Sequence, residues 1–518
     1  MGRKSALRKK TVIDEKNSFI GERIVHLDLK GAPPSIEYID SFMNFIASMG
    51  ATGILIEYED MFPYSNELEG IKAHNAYTPQ DIKKILFFAN LNNLTVVPLV
   101  QTFGHLEFVL KLEKYKNHRE VSKYPQVLCP TYKDSTWLIN RMIDQVLKAH
   151  PTSKYIHIGC DEVYYLGKCE RCKKKMADEK LNEHKLFLNH VKKVASYVTE
   201  VYKVRPIIWG DKITDLGVDL IKEFQIPQLL DVMLWHYRPD VSMRYDDKFF
   251  EVFGRVFNSF WIAGAFKGAT AVDSIVTNRK YHLANLISWM EIIITWNHKI
   301  DFKGIVLTGW QRYDHFSVLC ELLPVGIPSL ATSLEFLNTI SDVDDETLGR
   351  TLECQEVDTF DTSVSIFHPQ AFCNFPGFYV YKTIVTFYNL QQRIYSLRDI
   401  PNGWFSTFNI LYSFSSPAQV ENFVINFPID ALKLELKESW SVLQEHMNEI
   451  YDEYTVNEWL LTYIVPFSIR LDGLSKAKKA ILMKRDWPRR PFVNKTAIQS
   501  LQTTCSTDNE FCGSLFFT

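Results

Sequence analysis

The run His157-Ile158-Gly159-Cys160-Asp161-Glu162 is apolar and then ends on two adjacent carboxylates, with Tyr164 and Tyr165 just beyond. A buried strand that delivers acids to its end can place a proton donor beside a bond to be broken. The same Asp-Glu pair also suits the solvated start of a helix. In an extended segment, neighbouring side chains point to opposite faces. On that reading Asp161 and Glu162 do not face each other at the ~5 Å or ~6.5–9.5 Å separations of glycosidases that use two carboxylates. If Glu162 is a general acid, Asp161 is no obvious nucleophile. The pattern fits the substrate-assisted exception, in which a sugar's own 2-acetamido oxygen attacks C1 and the protein orients it.

Trp209, Trp235 and Trp310 each close an apolar run, and Tyr237 follows the second of them. Such aromatics either fill a core or wall a cage around a sugar's ring face and methyl group, and a tyrosine hydroxyl can donate to a developing negative oxygen. His105 follows Gln101-Thr102-Phe103-Gly104, while Asp28, Glu57 and Glu59 stand at the ends of earlier runs. A histidine held by a carboxylate can tune a neighbouring acid. Cys169-x-x-Cys172, with His184 and His190 downstream, resembles half of a zinc motif. No second Cys-x-x-Cys or close histidine pair follows it, and residues 168–175 read as a charged helix surface. Neither a metal nor an organic cofactor is expected.

These residues need a frame to bring them together. Short Val/Ile/Leu-rich runs lie at 23–30, 51–58, 94–101, 155–161, 205–209, 231–235, 260–266 and 304–310. Helical patterns fall between them, for example at 35–49, 78–90 (with Thr78-Pro79 as cap and first-turn proline), 135–149 and 183–202. Eight strands alternating with helices predict an α/β fold, a (β/α)8 TIM barrel with its active site at the C-terminal strand ends. The expected organisation is a basic flexible tail at 1–20, a catalytic barrel at 21–340, a mainly helical C-terminal domain at 341–487 and a polar, disordered tail at 488–518. The acidic stretch 342–346 reads as the linker.

Composition narrows the class. In 518 residues, 58 Lys+Arg against 61 Asp+Glu leave a formal charge of −3, which argues against binding nucleic acid through a broad basic surface. With 46% hydrophobic residues the chain is too apolar for disorder. The basic start precedes no secretory apolar stretch, and no run approaches the ~18 residues that span a bilayer. Nine scattered cysteines then fit free thiols in the cytosol or nucleus.

Several ungapped motifs in one order resemble the intracellular branch of family 20 glycoside hydrolases, over about residues 23–330. They are His26-Leu27-Asp28-Leu29-Lys30-Gly31, Leu55-Ile56-Glu57-Tyr58-Glu59-Asp60, Leu99-Val100-Gln101-Thr102-Phe103-Gly104-His105, residues 157–164, Ala265-Phe266-Lys267-Gly268, and Thr308-Gly309-Trp310-Gln311-Arg312. The resemblance implies an exo-β-N-acetylhexosaminidase that removes terminal β-linked N-acetylgalactosamine or N-acetylglucosamine with retention, through an oxazolinium intermediate. It implies Glu162 as general acid and base, Asp161 on the acetamide N–H and Tyr237 on the acetamide oxygen. It further implies Trp209, Trp235 and Trp310 as pocket walls, His105 as support for the acid, and Asp28, Glu57 and Gln101 as substrate-binding groups. The chain departs from the family pattern where Lys30 replaces an arginine, at Gln101, and at Gln311-Arg312, so a galacto or gluco preference is not carried over. The implied partner is a glycoside or glycoconjugate with a terminal β-linked N-acetylhexosamine, with no nucleic acid and no membrane; a homodimer stays open. The competing readings are a catalytically inactive glycan-binding barrel, and a two-carboxylate β-glycosidase with Glu57 or Glu59 as nucleophile.

Overall fold

Each of the eight apolar runs forms a strand, as expected of Val/Ile/Leu segments buried on both faces of a parallel sheet. In the computed structural model, which describes residues 12–13, 18–355, 360–361, 366–367, 372–397, 403–426 and 428–490, the first three are β1 (Glu22–Asp28), β2 (Gly53–Glu57) and β3 (Thr95–Leu99). An antiparallel hairpin, β4 (Arg119–Val121) and β5 (Tyr124–Leu128), follows on the loop after β3. Then come β6 (Tyr155–His157), β7 (Arg205–Trp209), β8 (Asp231–Trp235), β9 (Ser259–Lys267) and β10 (Asp301–Gly309). The eight parallel strands close a barrel in the order β1-β10-β9-β8-β7-β6-β3-β2. Helices Ile36–Ser48, Pro79–Leu91, Ser135–Ala149, Glu183–Tyr197 and Arg279–Trp296 lie between successive strands, and Leu323–Thr339 follows the last, as in a TIM barrel. Thr78 and Asp81 make a reciprocal capping box that starts the second of these helices.

Ile24, Leu55, Val97, Ile207, Met233, Trp261 and Val306 fill the barrel interior. Strand register decides what reaches the upper rim. Asp28 lies opposite Glu57, Leu99 opposite His157, and Trp235 opposite Ala263. The rim therefore gathers the polar strand ends on top of an apolar plug.

Four expectations change. The run at 155–161 stops as a strand at His157, because Gly159, Cys160 and Glu162 take left-handed backbone angles (φ 65°, 70° and 45°) and turn the chain out of the sheet. A Cβ at Gly159 would collide with the side chain of Gln101, so only glycine fits there. The alternation expected of Asp161 and Glu162 thus does not apply. The helix predicted at 183–202 ends as a π turn over Val198–Tyr202. The acidic stretch expected as a linker instead opens the helix Asp345–Thr351, whose first turn is capped by the Asp344 side chain. Finally, Cys354 and Cys373 form a disulfide, against the expectation of free thiols throughout; Cys129, Cys160, Cys169, Cys172 and Cys320 are unpaired thiols.

Downstream the chain is mainly helical, with Phe378–Ser396, Thr407–Tyr412, Pro417–Asn426, Ile429–Asn448, Glu453–Tyr463 and Val465–Met483. Two compact units result: Met1–Gln391 with Leu436–Pro466, and Gln392–Glu435 with Phe467–Thr518. Most of the predicted tails, residues 1–11, 14–17 and 491–518, lies outside the described residues. Phe19 and Ile20 are described, and Phe19 is buried with its amide donating to Leu337 O. Among the described residues no helix is long and apolar enough to cross a membrane.

Candidate active site

The loops after β3 and β6 cross at the rim. Thr102 Oγ1 donates to Ile158 O at 2.7 Å, and the Gly104 Cα passes so close to Asp161 O that a Cβ there would overlap the carbonyl. His105, next in sequence, takes a left-handed φ of 50°, as Glu162 does at 45°. Strained backbone of this kind persists only where surrounding contacts over-determine it. Those contacts are visible: the Gln126 side chain donates to Glu162 O at 2.8 Å, and the Glu162 N–H donates to Asp211 Oδ2 at 3.0 Å. Gly104→Ala is expected to lower kcat/KM on the order of 10²-fold by pushing the two loops apart while KM changes less, which steady-state kinetics on an aryl substrate will show.

The crossing brings three ionisable groups together. His105 Nε2 lies 3.4 Å from Asp161 Oδ2 and 3.2 Å from Glu162 Oε2. Burial alone would lower the His105 pKa, but the two carboxylates beside it raise it well above its ordinary value, so it is an imidazolium at neutral pH. The hydrogen bond from His105 in turn holds the Glu162 carboxyl below its ordinary value, against partial burial. Asp161 is buried, and its Oδ1 has no hydrogen-bond partner. Asp211, two residues past β7, is pushed up to about 6 by burial and by the charge on Asp161.

Aromatic rings wall the pocket. Trp209 and Trp310 lie 5.8 Å apart, Tyr237 packs 6.4 Å from Trp310, and Trp235 stacks on Tyr237 at 5.3 Å. Burial keeps the Tyr237 phenol well above its ordinary pKa, so it remains a donor. The pocket holds about 210 Å³, with Gln101, His105, Asp161 and Glu162 on one side and the aromatics on the other. Eight of the ten residues expected from sequence line it.

Asp28 and Glu57 do not; they lie beneath, holding Lys30. The Lys30 ammonium sits 3.2 Å from Asp28 Oδ1, 3.1 Å from Glu57 Oε1 and 3.7 Å from Glu59 Oε1, and 5.1 Å from the Trp310 ring centre. Burial would lower its pKa, but the three carboxylates hold it well above the ordinary value. Glu57 is also 3.3 Å from His26, and despite burial the Lys30 ammonium, with the neighbouring His26 ring, holds it well below the usual carboxylate range. Glu59 pairs with His315 at 2.9 Å; burial nonetheless raises it. Neither glutamate is free to act as a nucleophile in the pocket. Lys30, Arg312 and Tyr313 line the wall, and Asp211 braces Glu162, although none was assigned a role from sequence. Lys30 and Arg312 lie within the quoted strand-end motifs, and Asp211 lies two residues past Trp209, so position alone marked them.

Residues 57–247 match the family model for the catalytic domain of glycosyl hydrolase family 20. Over 317 residues the chain is 46% identical to hexosaminidase D of Bos taurus, covering 61% of this chain and 91% of that protein. Over 463 residues it is 37% identical to hexosaminidase D of Homo sapiens, covering 87% and 93%. The X-ray structure of a chitobiase from Flavobacterium johnsoniae superposes with a TM-score of 0.51 at 15% identity, over 88% of this chain and 71% of that one, which supports the fold alone. The barrel and its acidic, aromatic pocket are those of a glycoside hydrolase. The chain belongs to glycosyl hydrolase family 20, and within it to the hexosaminidase D group; it hydrolyses β-N-acetylhexosaminides.

Proposed function

We propose that the chain removes terminal, non-reducing β-linked N-acetylhexosamine residues with retention, by substrate-assisted catalysis through an oxazolinium intermediate. The observation that carries this reading is the divided Asp161 carboxylate. One oxygen engages His105 at 3.4 Å, and the other is buried without a partner beside the aromatic walls. A buried, unpaired acceptor is costly, and an acetamide N–H is the complement it lacks. In this role Asp161 turns the acetamide so that its oxygen reaches C1, and the Tyr237 hydroxyl steadies that oxygen. Glu162 protonates the leaving oxygen and then activates water. Trp209, Trp235 and Trp310 pack on the ring and methyl group. Lys30, Gln101 and Arg312 face the sugar's outer hydroxyls. A pocket of this volume suits one terminal sugar rather than a chain threading through, which supports exo cleavage. The name of the two similar relatives, hexosaminidase D, also points to 2-acetamido sugars. The two-carboxylate alternative loses support because Glu57 and Glu59 are engaged by Lys30, His26 and His315.

The test is hydrolysis of aryl β-glycosides of N-acetylgalactosamine, N-acetylglucosamine and glucose, with and without a thiazoline that mimics the oxazoline. Turnover of the acetamido sugars alone, blocked by the thiazoline, is expected, and the rates rank the two epimers. Glucoside turnover at a comparable rate overturns substrate assistance.

A further inference from the structure

The Cys169-x-x-Cys172 motif left without a partner in the sequence finds one in the fold. Cys169 caps the helix Glu170–Glu179, and the Cys172 N–H donates to Cys169 Sγ at 3.3 Å, the kind of N–H···S contact that steadies a thiolate. The outer face of that helix is charged as expected, but its first turn aims Cys172 inward. There it meets Cys129, which directly follows β5, and Glu120 of β4. Cys129 Sγ lies 3.4 Å from Cys169 Sγ and 3.7 Å from Cys172 Sγ, while Cys172 Sγ lies 3.1 Å from Glu120 Oε2. All four candidate ligand atoms fall within 4.8 Å of one another.

We propose that Glu120, Cys129, Cys169 and Cys172 bind a structural zinc ion. Metal–sulfur bonds of ~2.3 Å in a tetrahedron set the sulfurs ~3.8 Å apart, close to the spacing these thiols already have. Three sulfurs and one carboxylate oxygen are a closed donor set with no open position, which suits a structural rather than a catalytic ion. Cys129, Cys172 and Glu120 are fully or almost fully buried. Without a cation, a buried carboxylate against three weak S–H donors is a poor arrangement. The surroundings are built as an outer shell. Glu120 Oε1 accepts the Lys168 and Cys169 amides at 2.7 and 2.9 Å, leaving Oε2 turned to the sulfurs. The Thr131 hydroxyl lies 3.3 Å from Cys129 Sγ and 3.2 Å from Cys172 Sγ, and Arg171 lies beside Cys129, offsetting the charge of the thiolates. On binding, the three thiols give their protons to solvent. The ion ties the β4–β5 hairpin, which carries Gln126, to the segment just after Asp161 and Glu162. It thereby fixes the loop crossing from outside the pocket.

Full-length protein produced in zinc-containing medium and purified with reductant but no chelator is expected to carry about one zinc per chain by mass spectrometry of the metal. Cobalt(II)-grown protein is expected to show a thiolate-to-cobalt charge-transfer band and the strong d–d absorption of a tetrahedral site. Cys172→Ser and Glu120→Gln should both lose most of the metal. Chelator should lower the Tm of the wild type and leave that of Cys172→Ser unmoved. Folded, reduced wild type with less than about a tenth of an equivalent of zinc and no cobalt band overturns the proposal. So does a Cys129–Cys169 disulfide in protein whose thiols were blocked at lysis. If Cys172→Ser does not fold, the wild-type stoichiometry and the cobalt spectrum still decide.

Discussion

Asp161→Asn is expected to lower kcat/KM for every 2-acetamido substrate on the order of 10²–10³-fold, whatever the leaving group. The reason is geometric. The substitution keeps the volume and one oxygen, but the amide replaces a negative acceptor with either an N–H₂ facing the acetamide N–H or a neutral carbonyl. In the first case two donors oppose each other. In the second the internal nucleophile is held, but the positive charge that grows on the acetamide as it attacks C1 loses its counter-charge. Attack of the acetamide oxygen on C1 and departure of the aglycone are one displacement, and Asp161 acts on the attacking acetamide and not on the leaving oxygen, so activated and unactivated aglycones lose alike. Affinity for the thiazoline should fall in parallel, because it mimics the product of that step. Circular dichroism and the thermal midpoint should show the fold retained. A kcat/KM within about threefold of wild type across the panel removes Asp161 from the proposed role.

How much of this was open to a reader of the chain alone depends on whether a feature is local. All eight barrel strands were legible, since buried parallel strands write themselves as Val/Ile/Leu runs; β7 and β8 match the expectation at both ends. Asp161, Glu162, His105 and the three tryptophans were legible because strand ends in a barrel collect chemistry. The turn at residues 159–162 was not, because its left-handed angles occur where the chain packs against Gln101 and Gly104 of another loop. Alternation along a strand therefore predicted the wrong relation between the two carboxylates: both reach the same histidine nitrogen. The family resemblance implied Asp28 and Glu57 as substrate ligands. Only the register that sets one opposite the other shows them to be the cage of Lys30. The cysteine cluster was hidden for a related reason. Its second half sits on a short hairpin, β4–β5, whose strands are too brief for a pattern to show, about 40 residues upstream of Cys169.

Glu162→Gln should separate substrates by leaving group. A general acid contributes about 10²–10⁴-fold when the departing oxygen needs a proton, and little when it leaves readily as an anion. Turnover of an alkyl or glycosyl aglycone should therefore fall by about that factor, and turnover of a nitrophenyl glycoside by much less in the first step. Equal losses on both remove the acid assignment. The resting electrostatics sharpen the test. At neutral pH the His105 hydrogen bond keeps Glu162 ionised, so the proton that it must give resides on the imidazolium 3.2 Å away. The three groups share that proton, and the pH profile reports the set rather than any one member. His105 has a raised pKa, so the proton is present below that value and lost as pH rises through it; the alkaline limb of kcat/KM should lie above the ordinary histidine range of about 6.5. In His105→Gln the store is gone, and the limb reports Glu162 alone. It should then move to lower pH, toward the carboxylate range, in assays on the poor leaving group. An alkaline limb unmoved by that substitution places the shared proton elsewhere and leaves His105 only as a tether for the two loops.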